Sequence, residues 1–238
     1  MSHSTSDIYD ALAPYYREYA EKKTAYLSAV DSFILDNAPE GAGSLLDVGA
    51  GDGIRGMSIA RQQGISRTVL CDLSSEMVAR CQELKPTEVW QAAAEALPET
   101  NMRFEVITCL WNVLGHLAGR EERIKALQRM GDLLAENGVI FFDVNNRHNA
   151  SAYGTLKVLG RVILDTILPD ERRGDARFDW KIKEKVFPAK GHLFTPAEIE
   201  GIIHAAGLQV KNRISVDYTT GEFSQSPFNG QLLYLVGK

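Results

Sequence analysis

The sequence predicts an α/β fold: a doubly wound, mostly parallel sheet of seven strands whose C-terminal strand runs antiparallel, with an N-terminal helical cap and a lid inserted after the fifth strand. Three observations predict it. Short aliphatic or β-branched runs alternate with helix-like segments as far as Val144, the pattern of a sheet buried on both faces. The first of these runs enters a glycine turn, SLLDVGAGDG from Ser44 to Gly53, of the kind that opens ligand sites at the carboxyl ends of such sheets. A final helix is followed by two strand-like runs, with a connection from Gly221 to Gly230 long enough to pair them antiparallel.

In chain order, Ile8 to about Ala38 reads as one or two helices with an unusual density of tyrosine: Tyr9, Tyr15, Tyr16, Tyr19 and Tyr26. Strands are expected at Ser44–Val48, Thr68–Cys71, Glu88–Gln91, Val106–Leu110 and Val139–Val144. Helices fall between them at Gly53–Gln63 and Ser74–Leu84, the second capped by Ser74, with Met77 opening its apolar face. A longer helix, from about Glu121 to Ala135, has Ile124, Leu127, Met130 and Leu134 at helical spacing and is expected to stop at the ENG that follows.

About fifty residues then separate the fifth strand from Thr195. They contain an amphipathic helix, TLKVLGRVILDTIL, and a charged segment, ERRGDARFDWKIKEK; insertions of this length in compact folds act as lids or binding loops. Pro196 sits in the first turn of the last helix, just after Thr195. The chain thus divides into a helical cap (1–40), a ligand-binding core (41–148), a lid (149–194) and a C-terminal helix with a strand pair (195–238), all within one domain.

Composition narrows the chemistry. A chain of 238 residues with 45% hydrophobic content can bury a full core. With 26 basic against 31 acidic residues its formal charge is -5, so no global basic field draws it to nucleic acid or an anionic membrane. The segment Glu171–Lys190 has seven basic and four acidic residues and reads as solvated surface. Cys71, Cys81 and Cys109 are odd in number, widely spaced and outside any C-x-x-C, which argues against a disulfide framework and a metal site and for a reducing, cytoplasmic setting. No apolar run approaches a membrane span of ~18 residues. The inserted helix has only Lys157, Arg161 and Asp165 on its polar face, which favours a lid or a homodimer contact over a membrane-surface helix.

The glycine turn reads Gly49-x-Gly51-x-Gly53, and Ile54 stands where a dinucleotide fingerprint has its third glycine. Asp47 and Asp52 flank it with no lysine nearby, an unfavourable setting for a pyrophosphate. A ligand with an adenosine and a cationic amino-acid tail fits better.

On these residues the sequence resembles the class I S-adenosylmethionine-dependent methyltransferases, whose first motif, D-x-G-x-G-x-G, stands here at Asp47–Gly53. The likeness runs from LLDVGAGDG through the terminal strands. It implies a Rossmann-like fold, S-adenosylmethionine as cofactor and a small-molecule methyl acceptor. It assigns Asp47, Gly49, Ala50, Gly51 and Gly53 to the cofactor, together with Asp72, nineteen residues beyond Gly53, whose carboxylate suits two ribose hydroxyls. Where the family usually has D-A-x-x-L-P, this chain has Ala93 at the acidic position. Adenine would then be read around Ala94 and Glu95, with Leu73 and Met77 packing on it.

The resemblance also places Cys109, Leu110 and Trp111 beside the sulfonium, and Asn112 and His116 toward the acceptor. A histidine there can take the proton that an amine or hydroxyl loses on methylation. The N-terminal Y-D-x-x-A-x-x-Y pattern brings Tyr9, Tyr15 and Tyr16 over the site, with Tyr15 at the cofactor and Tyr16 at the acceptor. DVNNRHN looks like the substrate-facing segment of glycine N-methyltransferase-like enzymes and gives Arg147 the role of binding an acceptor carboxylate. N-methylation of an amine or carboxylate-bearing acceptor follows. Two other readings stay open: a protein that binds S-adenosylmethionine without turnover, suggested by Ala93, and a nicotinamide-dependent dehydrogenase, opposed by Asp47, Asp52 and Ile54.

Overall fold

The structure is a computed structural model and describes residues 5–182 and 185–238. Three helices come first: α1 (Thr5–Leu12), α2 (Tyr16–Glu21) and α3 (Thr24–Asn37). The alternating core follows as β1 (Ser44–Val48), α4 (Ile54–Gln63), β2 (Arg67–Asp72), α5 (Ser75–Glu83), β3 (Glu88–Gln91), β4 (Phe104–Cys109), α6 (Arg120–Asp132) and β5 (Leu134–Val144). The insertion contains α7 (Ala150–Tyr153), α8 (Thr155–Ile167) and the strands β6 (Asp175–Ile182) and β7 (Lys185–His192). The chain closes with α9 (Pro196–Ala205), β8 (Gln209–Val216), β9 (Phe223–Ser224) and β10 (Gln231–Gly237).

The main sheet has the order β3-β2-β1-β4-β5-β10-β8-β9. Strands β1 to β5 are parallel, and β10 runs antiparallel to both of its neighbours. The expected seven strands are present, and two-residue β9 adds an eighth by pairing with the end of β8. Strand order reverses between β1 and β4, so the chain leaves those two strands in opposite directions and a crevice opens at their carboxyl ends.

Pleating explains why the strands read as unbroken apolar runs. Leu45 and Leu46, like Phe141 and Phe142, are fully buried neighbours that point to opposite faces. One face packs against α6 and α9 through Leu127, Met130, Ile199 and Ile202, and the other against α3 and α4 through Val30, Ile34 and Ile59. Ser74 caps α5 by accepting from the Met77 N–H at 3.2 Å. Thr195 and Glu198 form a reciprocal capping box on α9, with Pro196 in its first turn.

Two elements differ from expectation. Helix α6 stops at Asp132, not Ala135, because Leu134 is already paired with Phe104 in the sheet. The ENG residues lie within β5, where Asn137 is left-handed (φ 62°) and a side chain on Gly138 would strike the Phe104 carbonyl at 2.8 Å. The charged segment, read as solvated surface within the lid and given no secondary structure, forms the β6–β7 hairpin, paired from Asp175↔His192 to Ile182↔Lys185. The base of that hairpin is fastened to the core by His192, whose ring nitrogens lie 2.8 Å from Asp175 and 2.7 Å from Glu198. Helix α8 forms as expected, with Leu156, Leu159, Ile163 and Ile167 exposed. Among the described residues no helix is long and apolar enough to cross a membrane.

Candidate active site

Five parallel strands end at one cavity of about 320 Å³. Its floor comes from the residues that follow them: Gly49 and Gly51 after β1, Asp72 and Leu73 after β2, Ala92–Glu95 after β3, Leu110–Val113 after β4 and Asn145 after β5. Tyr9, Tyr16 and Tyr19 close it from the N-terminal helices, Phe178 from β6 and Tyr218 from beyond β8. His116, Leu117 and Glu122 complete the wall. A second cavity of about 230 Å³ shares Tyr16, Gly49, Leu110 and Trp111 with the first and gathers five charged side chains, Arg17, Asp31, Asp47, Asp52 and Arg55, among apolar neighbours such as Leu27 and Ile54.

Glycine is required in the turn for two separate reasons. Gly51 has φ +58°, a left-handed conformation that side chains disfavour. A Cβ there would also lie 2.6 Å from the Tyr16 hydroxyl. The turn is held to β2 by Asp72, whose Oδ2 accepts the Gly51 N–H at 2.8 Å while Oδ1 accepts the Ser74 N–H at 2.9 Å. Burial raises the Asp72 pKa, and these backbone donors oppose the rise.

Beyond β4 the chain takes two consecutive left-handed residues, Trp111 (φ 65°) and Asn112 (φ 63°). The Trp111 ring stacks on Tyr19 at 5.4 Å, meets Tyr16 edge-on at 5.7 Å and donates its indole N–H to the Tyr218 hydroxyl at 3.1 Å. Asn112 Oδ1 accepts the Asn145 N–H at 2.9 Å. His116 Nδ1 lies 3.1 Å from the Lys190 carbonyl, which can only accept, so Nδ1 carries the proton of the neutral ring. Nε2 then accepts from the Tyr9 hydroxyl at 3.2 Å. Burial lowers the His116 pKa, with the Lys190 carbonyl acting against it, and the ring is neutral at pH 7.

Residues 15–212 match the family described as a methyltransferase domain. The chain belongs to that family. It is an S-adenosylmethionine-dependent methyltransferase acting on a small molecule. A curated relative, dTDP-3-amino-3,6-dideoxy-alpha-D-glucopyranose N,N-dimethyltransferase of Streptomyces fradiae, is 26% identical over 88% of this chain and 86% of its own. Among solved structures, the amino pentose methyltransferase CalS10 of Micromonospora echinaspora, with S-adenosylmethionine bound, superposes with a TM-score of 0.64 at 17% identity, covering 93% of this chain and 95% of that one. The sugar N-methyltransferase KedS8 of a Streptoalloteichus species gives 0.64 at 18% identity, over 100% and 96% of the two chains. By their names these relatives act on amino or other sugars, and none of them is a glycine N-methyltransferase.

The methyltransferase cavity brings together Tyr16, Gly49, Gly51, Asp72, Leu73, Ala94, Glu95, Leu110, Trp111, Asn112 and His116 from the sequence-derived set. Asp47 and Ala50 lie on the second cavity, and Gly53 packs under the turn against Leu70 and Cys81. Four expectations need correction. Tyr15 joins the N-terminal apolar cluster around Leu12 and is absent from both cavity walls, which Tyr16 lines instead. Met77 is fully buried and absent from both cavity walls. Cys109 packs into the α6 side of the sheet because the pleat gives the cavity to Leu110. Arg147 faces Asp165 of α8, with Nε 2.8 Å from Oδ2, and also donates to the Arg173 carbonyl, so its fork is occupied in fastening the insertion.

Sequence reasoning gave no site role to Tyr19, Tyr218, Glu122, Asn145 or Phe178. Tyr19 belonged to the tyrosine-rich run, and Glu122 read only as an acid in the first turn of a helix. Asn145 lay in the DVNNRHN segment, from which only Arg147 was given a role, and Tyr218 and Phe178 reach the cavity from distant strands without a local signal.

The second cavity gives the apo-methyltransferase a pH signature. Burial pushes Asp47 from the ordinary 3.8 up to about 6, with the Thr108 hydroxyl (2.7 Å) and the Arg55 charge acting against the rise. The folded state therefore holds a proton that the unfolded chain has already lost between these values. This contribution to stability is full below about pH 3.8 and is lost as pH rises through 6. Asp47→Asn is expected to gain on wild type over this window by about 3 kcal/mol at most, measured by denaturant unfolding without ligand. A stability difference that stays constant with pH would contradict it.

Proposed function

We propose that this methyltransferase N-methylates a small amine, with amino sugars as the favoured class. One observation carries the reading: Asp72, Glu95 and Glu122 line the cavity, and no described lysine or arginine does. A cationic or hydroxyl-rich acceptor is matched by such a wall and a carboxylate acceptor is repelled. Arg147, the group that was to hold a carboxylate, is committed to Asp165. The sugar amine methyltransferases among the relatives support the same class.

S-adenosylmethionine, when bound, supplies a methyl group on a cationic sulfur and a neutral thioether as leaving group. The cavities fit it chemically. Asp72, at the end of β2, retains lone pairs for ribose hydroxyls, and the bare Gly51 allows close approach to the turn. The second cavity offers carboxylates for an ammonium and the half-exposed Arg17 for a carboxylate, while Arg55 is held by Asp31. The Trp111, Tyr16 and Tyr19 rings surround the junction where a sulfonium is favoured electrostatically.

The remaining work is orientation and proton removal. Phe178 and the N-terminal tyrosines exclude water, Glu122 holds the acceptor's polar groups, and His116 Nε2 takes the proton that the amine sheds, once the Tyr9 hydroxyl turns aside. Methyl-labelled cofactor offered with dTDP-3-amino-3,6-dideoxyglucose, simple amino sugars, amino acids and phenols tests this. Labelled amines are expected, and transfer confined to carboxylates or phenols would overturn it. Glu122→Gln is expected to raise the Michaelis constant of the best amine about tenfold with turnover little changed, since glutamine keeps the shape but loses a charge-assisted hydrogen bond. An unchanged Michaelis constant would move amine recognition away from Glu122.

A further inference from the structure

We propose that Asp143 is a positioning residue: it holds Trp111 in its left-handed conformation and so maintains the aromatic partition between the two cavities. The inference rests on the reading of those cavities as the methyl-donor site.

The backbone poses the problem. Two adjacent residues with side chains, Trp111 and Asn112, take positive φ at the end of β4, a conformation that asparagine tolerates but that is strained for a bulky tryptophan and needs support. Support comes from the carboxyl end of the neighbouring strand β5. Asn145 offers its N–H to the Asn112 side chain. Two residues earlier Asp143 accepts the Trp111 N–H on Oδ1 and the Tyr26 hydroxyl on Oδ2, the latter at 2.5 Å.

Asp143 and Tyr26 are 2% and 1% exposed, so bulk water cannot replace either bond. One carboxylate therefore ties the turn after β4, strand β5 and helix α3 together. Burial raises its pKa, while the Arg55 charge and the two hydrogen bonds act to keep it ionised.

The consequence lies in the side chain that this turn projects. Trp111 lines both cavities. Its ring stacks on Tyr19, and its indole N–H reaches Tyr218. Released into an ordinary β or right-handed conformation, the residue cannot keep its ring in that place. A carboxylate present only to fill the core would not need to accept this particular N–H.

Calorimetry with S-adenosylhomocysteine, together with near-ultraviolet circular dichroism and thermal unfolding of each variant, tests the proposal. Asp143→Ala is expected to raise the dissociation constant at least tenfold and to diminish the aromatic dichroism of the unliganded protein. Asp143→Asn, which retains an oxygen for the Trp111 N–H, is expected to stay within threefold of wild type. Tyr26→Phe leaves that bond in place, so it is expected to lower the unfolding temperature while the dissociation constant also stays within threefold.

If alanine at 143 does not fold, Asp143→Ser, too short to reach the Trp111 N–H, is expected to show the same tenfold rise. Affinity within twofold of wild type in Asp143→Ala or Asp143→Ser would overturn the proposal. So would losses of affinity that simply track loss of stability across all the variants. Failure of wild-type protein to bind S-adenosylhomocysteine would instead overturn the reading of the cavities.

Discussion

Gly51→Val is expected to remove measurable cofactor binding, with a dissociation constant raised at least a hundredfold in calorimetry. Three effects act together. A β-branched residue disfavours φ +58° by roughly 1–3 kcal/mol, so the turn itself is driven to change. The first atom of the new side chain would meet the Tyr16 hydroxyl at 2.6 Å and the tyrosine ring at 2.8 and 3.0 Å, before its two methyl groups are counted. Displacement of the turn also breaks the bond from the Gly51 N–H to Asp72, the acid proposed to hold the ribose. A hundredfold loss corresponds to about 2.7 kcal/mol, within the strain alone.

Gly64 supplies the control. Its φ is +70°, but a Cβ there meets nothing within 4 Å. Gly64→Ala should therefore cost stability, by about 1 kcal/mol, and leave cofactor affinity unchanged. If Gly51→Val binds as Gly64→Ala does, the glycine turn is not where the cofactor approaches the chain.

What the sequence revealed and what it hid have a common physical basis. The turn was legible because its constraints are local: the strand, the positive-φ glycines and the acids at Asp47 and Asp72 lie within one β-α-β unit. Parity within a doubly buried strand was not legible. When both faces of β4 are apolar, nothing local tells that Leu110 and not Cys109 meets the cavity.

The end of α6 failed for a related reason. Leu134 continues the helical spacing of Leu127 and Met130, and only its pairing with Phe104, thirty residues earlier, claims it for the sheet. Arg147 and Glu122 show the same limit with charge. An arginine in a segment of familiar pattern was assigned to the acceptor, yet Asp165 from a helix eighteen residues on takes it up. The acid that does line the cavity looked like an ordinary helix start. Asp143 sits in an apolar strand and reveals its use only once β4 and α3 are beside it.

The chemistry at the other end of the cavity should depend on the charge state of His116. His116→Asn is expected to lower turnover at least about 10²-fold, with cofactor affinity unchanged, because asparagine fills similar space but takes no proton. In wild type, only the neutral ring is a base, so turnover should fall as pH drops through the His116 pKa, which burial places below the ordinary 6.5. The Tyr9 hydroxyl donates to Nε2 and so stabilises the neutral ring. Tyr9→Phe removes this bond, which raises the pKa and moves the acidic limb of the profile to higher pH. In His116→Asn that limb should vanish altogether. A variant series in which His116→Asn retains wild-type turnover and the same acidic limb would assign the proton to solvent and leave His116 as a tie from the turn after β4 to Tyr9 and the Lys190 carbonyl.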